Sequence, residues 1–411
     1  MSRGIVSSSI VRGLCITMLL LAFVFTGTSY GAGFQLFNEL SARGMGNGGT
    51  MTARTDTAES AWFNPASVAL MKHPQALTGM ALVMPYLALQ MGDHEYRMKK
   101  MAYPLPYAYV VYPVGDRVGI SLSANVPYGL TTEWPADWPG RYRAIKTDLR
   151  CLFVTPSISY APTDCLSFAV GAQIVRATAE MTKAVTPALP TLTTKITGHD
   201  TAVGYLVSAM LKPARWCSFG VIFRSEVHIK LDGEAKYNEA VPGFYRSDVQ
   251  LPVTLPATVS VGLNLHPVPR WHFGIEYLWT GWSSYKSLDF FYYRAPGTGL
   301  PGTVSLPRNW DDTYSLRFSV AHNISKAWIV RAAYVYDKTP IDDQYRDPSL
   351  PTNDRHLFNI GCGYTHNNLG VDVAYTFLRM EHSHPSPATP ELYGTYKGLA
   401  NIINVDLRWR F

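Results

Sequence analysis

The feature that most constrains this chain is an alternation of apolar and polar residues at period two, renewed repeatedly up to the last residue. Ile403, Val405, Leu407, Trp409 and Phe411 take one face of the final segment, and Asn404, Asp406, Arg408 and Arg410 take the other. Such a pattern demands one face in an apolar medium and one in a polar medium. The same parity runs through Phe219, Val221, Phe223, Ser225, Val227, Ile229 and Leu231, with Arg224, Glu226, His228 and Lys230 opposite. It returns in Val253, Leu255, Ala257, Val259, Val261, Leu263 and Leu265, and again in Trp271, Phe273, Ile275, Tyr277 and Trp279. Counting from Gln75 gives about fourteen such segments, an even number, as single-chain outer-membrane barrels have.

The connections sort by length. Tight turns such as Gly115-Asp116-Arg117 and Pro162-Thr163-Asp164 alternate with long links at residues 131–149, 232–252, 286–312 and 381–398. Short turns at one end and long loops at the other fit a transmembrane barrel, and closure removes the unpaired edges that so large a sheet would leave. The expected fold is therefore all-β, a closed antiparallel barrel of about fourteen strands over residues 73–411.

Composition agrees with a lipid-facing surface. Charged residues are 16% of the chain, where soluble domains carry about 25%. Aromatics gather at segment ends (Trp271, Trp279, Trp282, Tyr334, Tyr336, Trp409), where interfacial girdles belong. The 36 Lys and Arg against 30 Asp and Glu form no stripe, so no nucleic-acid partner is expected. Cys151, Cys165, Cys217 and Cys362 have no CxxC spacing and read as small apolar fillers, although an even count in an exported chain permits disulfides.

The front of the chain is different. Arg3 and Arg12 precede an apolar run from Leu14 to Phe25 that is too short to span a bilayer, and Ser29 and Gly31 follow. Residues 1–31 are expected to be a cleaved signal peptide. Residues 32–72 do not alternate. Short helical patches broken by Gly and Pro fit them better, which suggests a plug inside the barrel.

This segment opens with Ala32-Gly33-Phe34-Gln35-Leu36, contains the Gly44/Gly46 pair and ends near the triplet Asn64-Pro65-Ala66. In these residues it resembles the N-terminal hatch of the FadL/OmpP1/TodX family, outer-membrane channels for long-chain fatty acids and other hydrophobic compounds. The segment Asn125-Val126-Pro127-Tyr128-Gly129-Leu130 looks like the family's third strand, whose inward kink opens a lateral exit into the bilayer. Phe223-Arg224-Ser225-Glu226-Val227 and Trp279-Thr280-Gly281-Trp282-Ser283 also look like family segments. The resemblance implies that Gly44, Gly46, Asn64, Pro65 and Ala66 hold or gate the hatch. It likewise implies a lateral gate at Asn125, Pro127, Tyr128 and Gly129. From the residues alone, Pro127 equally reads as a strand end, since proline donates no ladder hydrogen bond.

Among lumen-facing charges, Arg224, Lys230, Arg317 and Arg331 are the candidates to meet a carboxylate, with Leu206, Ile222 and Leu278 as apolar lining or plug contacts. Most such charges are expected to pair with one another. The link after the fifth strand, residues 181–200, lacks the helical period of the family's surface groove. Leu130, Trp134 and Trp138 could supply a capture patch instead, or serve as interfacial packing.

The expected function is passive uptake of hydrophobic molecules by a monomer, with no cofactor, catalytic group or metal. Its surroundings would be outer-membrane lipid and lipopolysaccharide, and its C-terminal aromatic looks like the signal read by the barrel-assembly machinery. One alternative is a porin for hydrophilic solutes. The other is an outer-membrane lipid-modifying enzyme, which would need a Ser/His pair that Ser225, His228 and residues 382–384 supply poorly.

Overall fold

Alternation of the kind described closes into a barrel in the computed structural model, which describes residues 33–54 and 56–411. The signal-peptide expectation lies outside the described residues. Fourteen antiparallel strands form the wall. We number them β1 (Gln75–Met91), β2 (His94–Arg97, continuing as Tyr103–Val114), β3 (Val118–Glu133), β4 (Lys146–Thr163), β5 (Leu166–Thr186) and β6 (Leu189–Ala214). Next come β7 (Cys217–Arg224, then Val227–Tyr237), β8 (Ser247–Leu255, then Thr258–Leu265), β9 (Trp271–Thr280, then Ser287–Tyr292) and β10 (Gly302–Pro307, then Thr313–Asn323). The last four are β11 (Trp328–Asp337), β12 (Arg355–His366), β13 (Leu369–Met380) and β14 (Thr395–Arg410). Consecutive strands pair, and β14 returns to β1 from Gln75↔Arg410 to Gln90↔Thr395, so the sheet has no free edge.

The wall has two storeys. In the lower one the outside is apolar, with Val203, Val221, Ile275, Phe318, Ile360 and Val405 all exposed, while Ser208, Glu276, Arg317, Asn359 and Asp406 are buried within. Rings of Tyr160, Trp271, Trp328 and Trp409 mark one border of this band, and Tyr277, Trp279, Tyr314 and Tyr336 the other.

In the upper storey, built on β6 to β10, the polarity reverses. The reversal in β7 falls at Ser225-Glu226, and in β8 at Pro256-Ala257, two breaks that face each other because both halves keep one register, Thr258↔Arg224 and Leu255↔Val227. Past them Val227, Ile229, Leu231, Val249, Leu251, Val253 and Leu255 turn inward and are buried, while His228, Lys230, Asp248 and Gln250 face out. A wall that has left the bilayer has water outside, so its apolar face gains by turning in.

Two expectations are corrected here. Lys230, with Glu226 and His228, lies on the outer surface rather than in the lumen, because the sequence parity breaks at residue 225. The links at 181–200 and 232–252 are largely strand: β5 and β6 meet in a hairpin turn at Pro187-Ala188, and β7 and β8 extend upward.

Residues 33–71 sit inside the lower storey, in a helix α1 (Ala42–Gly46), a helical turn α2 (Ser60–Phe63) and a 3-10 turn Pro65–Leu70. Nearly every described side chain in this segment is buried.

Candidate functional site

The plug is gripped by the lower wall through hydrogen bonds on every side. Tyr109 Oη donates to the Leu40 carbonyl (2.6 Å), Asn404 Nδ2 to Glu39 O (2.9 Å), Ser218 Oγ to Ala53 O (2.8 Å), and the Thr52 amide donates to Glu276 Oε2 (2.9 Å). A stoppered polar lumen explains why its strands carry Ser, Asn and charged residues inward: buried backbone groups of an irregular segment must find partners.

The proposed hatch residues occupy defined places. Asn64 caps the 3-10 turn, its Oδ1 accepting from the Ala66 amide (3.1 Å), while its Nδ2 donates to Thr52 O and to Ala209 O on β6 (2.8 and 3.0 Å). Pro65 takes the first helical position, where a missing N–H costs nothing. Ala66 O accepts from Ser167 Oγ of β5 (2.7 Å). Gly46 meets Gly361 of β12 backbone to backbone, where a side chain on Gly46 would lie 3.1 Å from Gly361 Cα. In Gly44 a Cβ would strike Ser41 Oγ, the N-cap of α1.

Charges inside the plug settle each other. Asp56, an exposed carboxylate at the plug's edge, accepts from Arg43 Nη2 at 2.9 Å, and the neighbouring guanidinium groups of Arg43 and Arg54 hold it far below the usual range. Burial pushes Glu39 up to about 7, only partly resisted by Arg355 and Arg317.

Three of the four cations expected to await ligand face inward but serve the plug or each other. Arg224 donates to the Trp62 carbonyl (2.5 Å) and lies over the rings of Trp62 and Phe37, 4.1 and 5.5 Å from their centroids. Arg331 pairs with Asp372 (2.7 Å), and Arg317 abuts Gly49. Leu206, Ile222 and Leu278 are buried at the level of the plug, below the upper pocket described next.

Above the plug lies an apolar pocket. Phe34 forms its floor, Leu231, Leu251 and Val253 one side, and Leu130, Leu149 and Met181 another. Tyr285, Trp310 and Ile341 complete it, and the cavity left between them is about 60 Å³. Side chains must therefore part to admit even a benzene-sized guest, which needs ~150 Å³. The pocket's polar lining is Thr147 and Asp148 of β4 together with Arg308, which is paired with Asp347 at 3.4 Å, where Ser349 also donates to Asp347 from its amide (2.9 Å) and hydroxyl (2.5 Å). Burial raises the Asp347 carboxyl, but Arg308 and these bonds prevail and hold it below its ordinary value. Sequence reasoning missed Arg308 because it lies in an irregular stretch between the halves of β10.

The third strand departs from the wall. Pairing of β2 with β3 stops at Ala108↔Ala124. Between β3 and β4 the register shifts from Asn125↔Phe153 to Tyr128↔Cys151, a bulge that contains Val126 and Pro127. Around it β3 is buried on both faces from Ser123 to Thr132. The plug's first residues replace β2 as its neighbour: the Leu36 amide donates to Pro127 O (2.8 Å) and the Gly129 amide to Phe34 O (2.9 Å). Asn125 Nδ2 donates to Tyr109 Oη (3.2 Å). Phe34 in turn packs edge-on against Trp282 (4.7 Å between centroids), which packs against Trp310 (4.9 Å).

Trp134 and Trp138 form no exposed capture patch. They stack on each other at 4.3 Å, are fully buried, and donate to Pro348 O (3.0 Å) and Ala144 O (2.8 Å) within a separate cluster holding Leu89, Met98 and Tyr396. Their indole N–H groups found loop carbonyls, and loop contacts are invisible to periodicity. Leu130 alone of that trio lines the pocket. Among the described residues the four cysteines are unpaired, with Cys151 and Cys217 buried.

Residues 22–411 match the family model for the outer membrane transport proteins OMPP1/FadL/TodX. The chain belongs to this family. It is thus an outer-membrane transport barrel and not an enzyme. Among curated relatives, the 47 kDa outer membrane protein of Pasteurella multocida is 25% identical over 94% of this chain and 96% of that one. The long-chain fatty acid transport protein of Salmonella typhi is 24% identical over 86% and 89%. Two solved structures share the fold: a Pseudomonas aeruginosa FadL homologue (TM-score 0.81, 20% identity, 92% of this chain and 99% of that one) and the Ralstonia pickettii toluene transporter TbuX (TM-score 0.71, 16% identity, 91% and 99%).

Proposed function

We propose that this FadL/TodX-family barrel carries long-chain fatty acids or related hydrocarbons from the cell exterior into the membrane, by way of the apolar pocket above the hatch and a lateral exit beside β3. The observation that supports this most is the shared role of Phe34. It is the pocket floor, and its carbonyl and the Leu36 amide are also what hold residues 127–129 away from β2.

A ligand entering the 60 Å³ cavity must displace side chains, and Phe34 is the one attached to the hatch rather than to the wall. Displacing it breaks the short Phe34–Leu36 pairing with β3. The gap between β2 (Tyr103 to Tyr107) and β3 then has only side chains to fill it. An apolar molecule leaving sideways avoids both aqueous compartments, which is where its hydrophobic free energy is lost. Arg308 at the pocket corner would meet the carboxylate of a fatty acid in a charge-assisted contact, in competition with Asp347.

Deleting Val126 and replacing Pro127 by Val removes the bulge and restores a continuous β3–β4 register. Uptake of radiolabelled oleate should drop sharply in that variant while heat-resistant barrel folding is kept. Undiminished uptake by the folded variant contradicts a lateral exit at β3. The stoppered lumen also implies near-zero ion conductance in planar bilayers, the opposite of a hydrophilic porin.

A further inference from the structure

A second discontinuity in the wall lies between β6 and β7, on the other side of the same pocket. The two strands pair from Thr194↔Tyr237 to His199↔Asp232 and again from Leu206↔Arg224, with the register displaced by one residue between the two blocks. No ladder pairing joins residues 201–204 to residues 226–229. The borders are held by few bonds: the Ser225 amide donates to Tyr205 O (2.9 Å), Ser225 Oγ accepts from the Tyr205 amide (2.9 Å), and Asp200 Oδ2 accepts from the Lys230 amide (2.7 Å). At mid-seam Gly204 leaves room that Val227 fills, since Val227 Cγ2 lies 2.8 Å from where a Cβ on Gly204 would sit.

Each side of this seam is apolar. On the inside, Val227, Ile229 and Leu231 belong to the core that also holds Phe34, and Ala202 packs against it; Leu231 itself lines the pocket. On the outside, the seam opens into a broad trough of about 1260 Å³ in the lipid-facing surface, floored by Ile158, Val170, Val203, Tyr205 and Phe223. The trough's upper rim is polar, with Glu226 and His228 3.9 Å apart.

We propose that the β6–β7 seam is a second lateral portal, through which a long-chain amphiphile passes from the upper pocket into the trough, tail on the apolar floor and polar head at the His228 rim. This rests on the pocket being the ligand site. Opening needs the Val227 side chain to turn away, with at most the border bonds at Ser225 and Asp200 to yield, because no ladder joins residues 201–204 to residues 226–229. The rim height would deliver the molecule head-up into the outer leaflet.

The test is a reversible staple. In a Cys165→Ser background, which removes the exposed thiol, Gly204→Cys with Val227→Cys brings two Cβ atoms near the ~3.5–4.5 Å that a disulfide spans. Uptake of radiolabelled oleate is measured in cells carrying the full chain, oxidised and reduced, with native β3 and with the straightened β3 described above. The expected result is residual uptake through straightened β3 that oxidation abolishes and reduction restores. Oxidation without effect in both backgrounds overturns the portal while wild-type uptake leaves the transport reading standing. Absence of uptake by the unaltered chain overturns both. As a measurement free of substitutions, a diazirine-bearing fatty acid should label Tyr205 or Phe223 of the wild-type protein from within. Labelling confined to the β3 side contradicts the portal.

Discussion

The two storeys of the wall are made of the same strands and obey opposite rules. Below the breaks at Ser225-Glu226 and Pro256-Ala257, β7 and β8 put Val221 and Val261 outside and Ile222, Arg224 and Ser260 inside; above them, Leu231 and Leu251 are inside and Lys230 and Gln250 outside. The lower lumen is polar because it must hold an irregular plug by its backbone. The upper lumen is apolar because it holds little irregular backbone: of the plug only Phe34 reaches the pocket there. Two residues of irregular backbone in each strand are enough to convert a membrane wall into a sleeve with its apolar face inward.

Charges placed by storey should break the symmetry of this comparison most strongly. Leu251→Lys buries an unpaired ammonium in the pocket, so oleate binding followed by tryptophan fluorescence should be lost. Gln250→Lys, one residue along, should leave binding unchanged. In the lower storey the outward position is the sensitive one: Val261→Lys should cost about 2–4 kcal/mol of folding stability in lipid vesicles if it lies near the bilayer midplane. Equal effects at 250 and 251 would mean that the upper strand does not reverse.

A more local loss is expected where the lower storey grips the plug. Arg224→Ala leaves the Trp62 carbonyl unsatisfied and removes a cation lying over two rings, together worth about 3 kcal/mol. Faster hydrogen exchange in residues 58–66, with the barrel amides unchanged, would show it. Arg224→Lys should rescue only part, since an ammonium lacks the planar face that stacks on Trp62.

The mildest effect concerns pH. With Glu39 raised to about 7, the plug binds that proton in the folded state up to near neutrality, whereas the released chain gives it up around the ordinary glutamate value of 4.5. The folded state therefore holds more protons between the two values, and hatch stability falls as pH rises through that window. Glu39→Gln should flatten this dependence, seen as pH-independent hatch exchange.

Much of the lower storey was legible in the sequence. There the outer face touches lipid, so Ile403, Val405 and Leu407 or Phe273 and Ile275 announce themselves by parity alone. The break at residue 225 was not, because Ser225 and Ala257 are small enough to continue either face. Extending one parity through them put Lys230 in the lumen. The upper strands were read as loops because their outward Thr, Lys and Asp side chains look like exposed turns when the bilayer is assumed to lie outside. The plug contacts of Asn64 and Pro65 fit local capping chemistry, whereas the pocket's Arg308 and Trp310 are brought together by tertiary folding with no local period to betray them.

The most direct test of the reversed upper storey as a ligand sleeve is the position of a heavy atom on bound ligand. In crystals of the full chain with oleate brominated at mid-chain, the anomalous bromine peak should lie between Phe34, Leu251 and Trp310. Bromine found only on the outer surface, or in the polar lumen beside Glu276 and Arg317, would contradict the account.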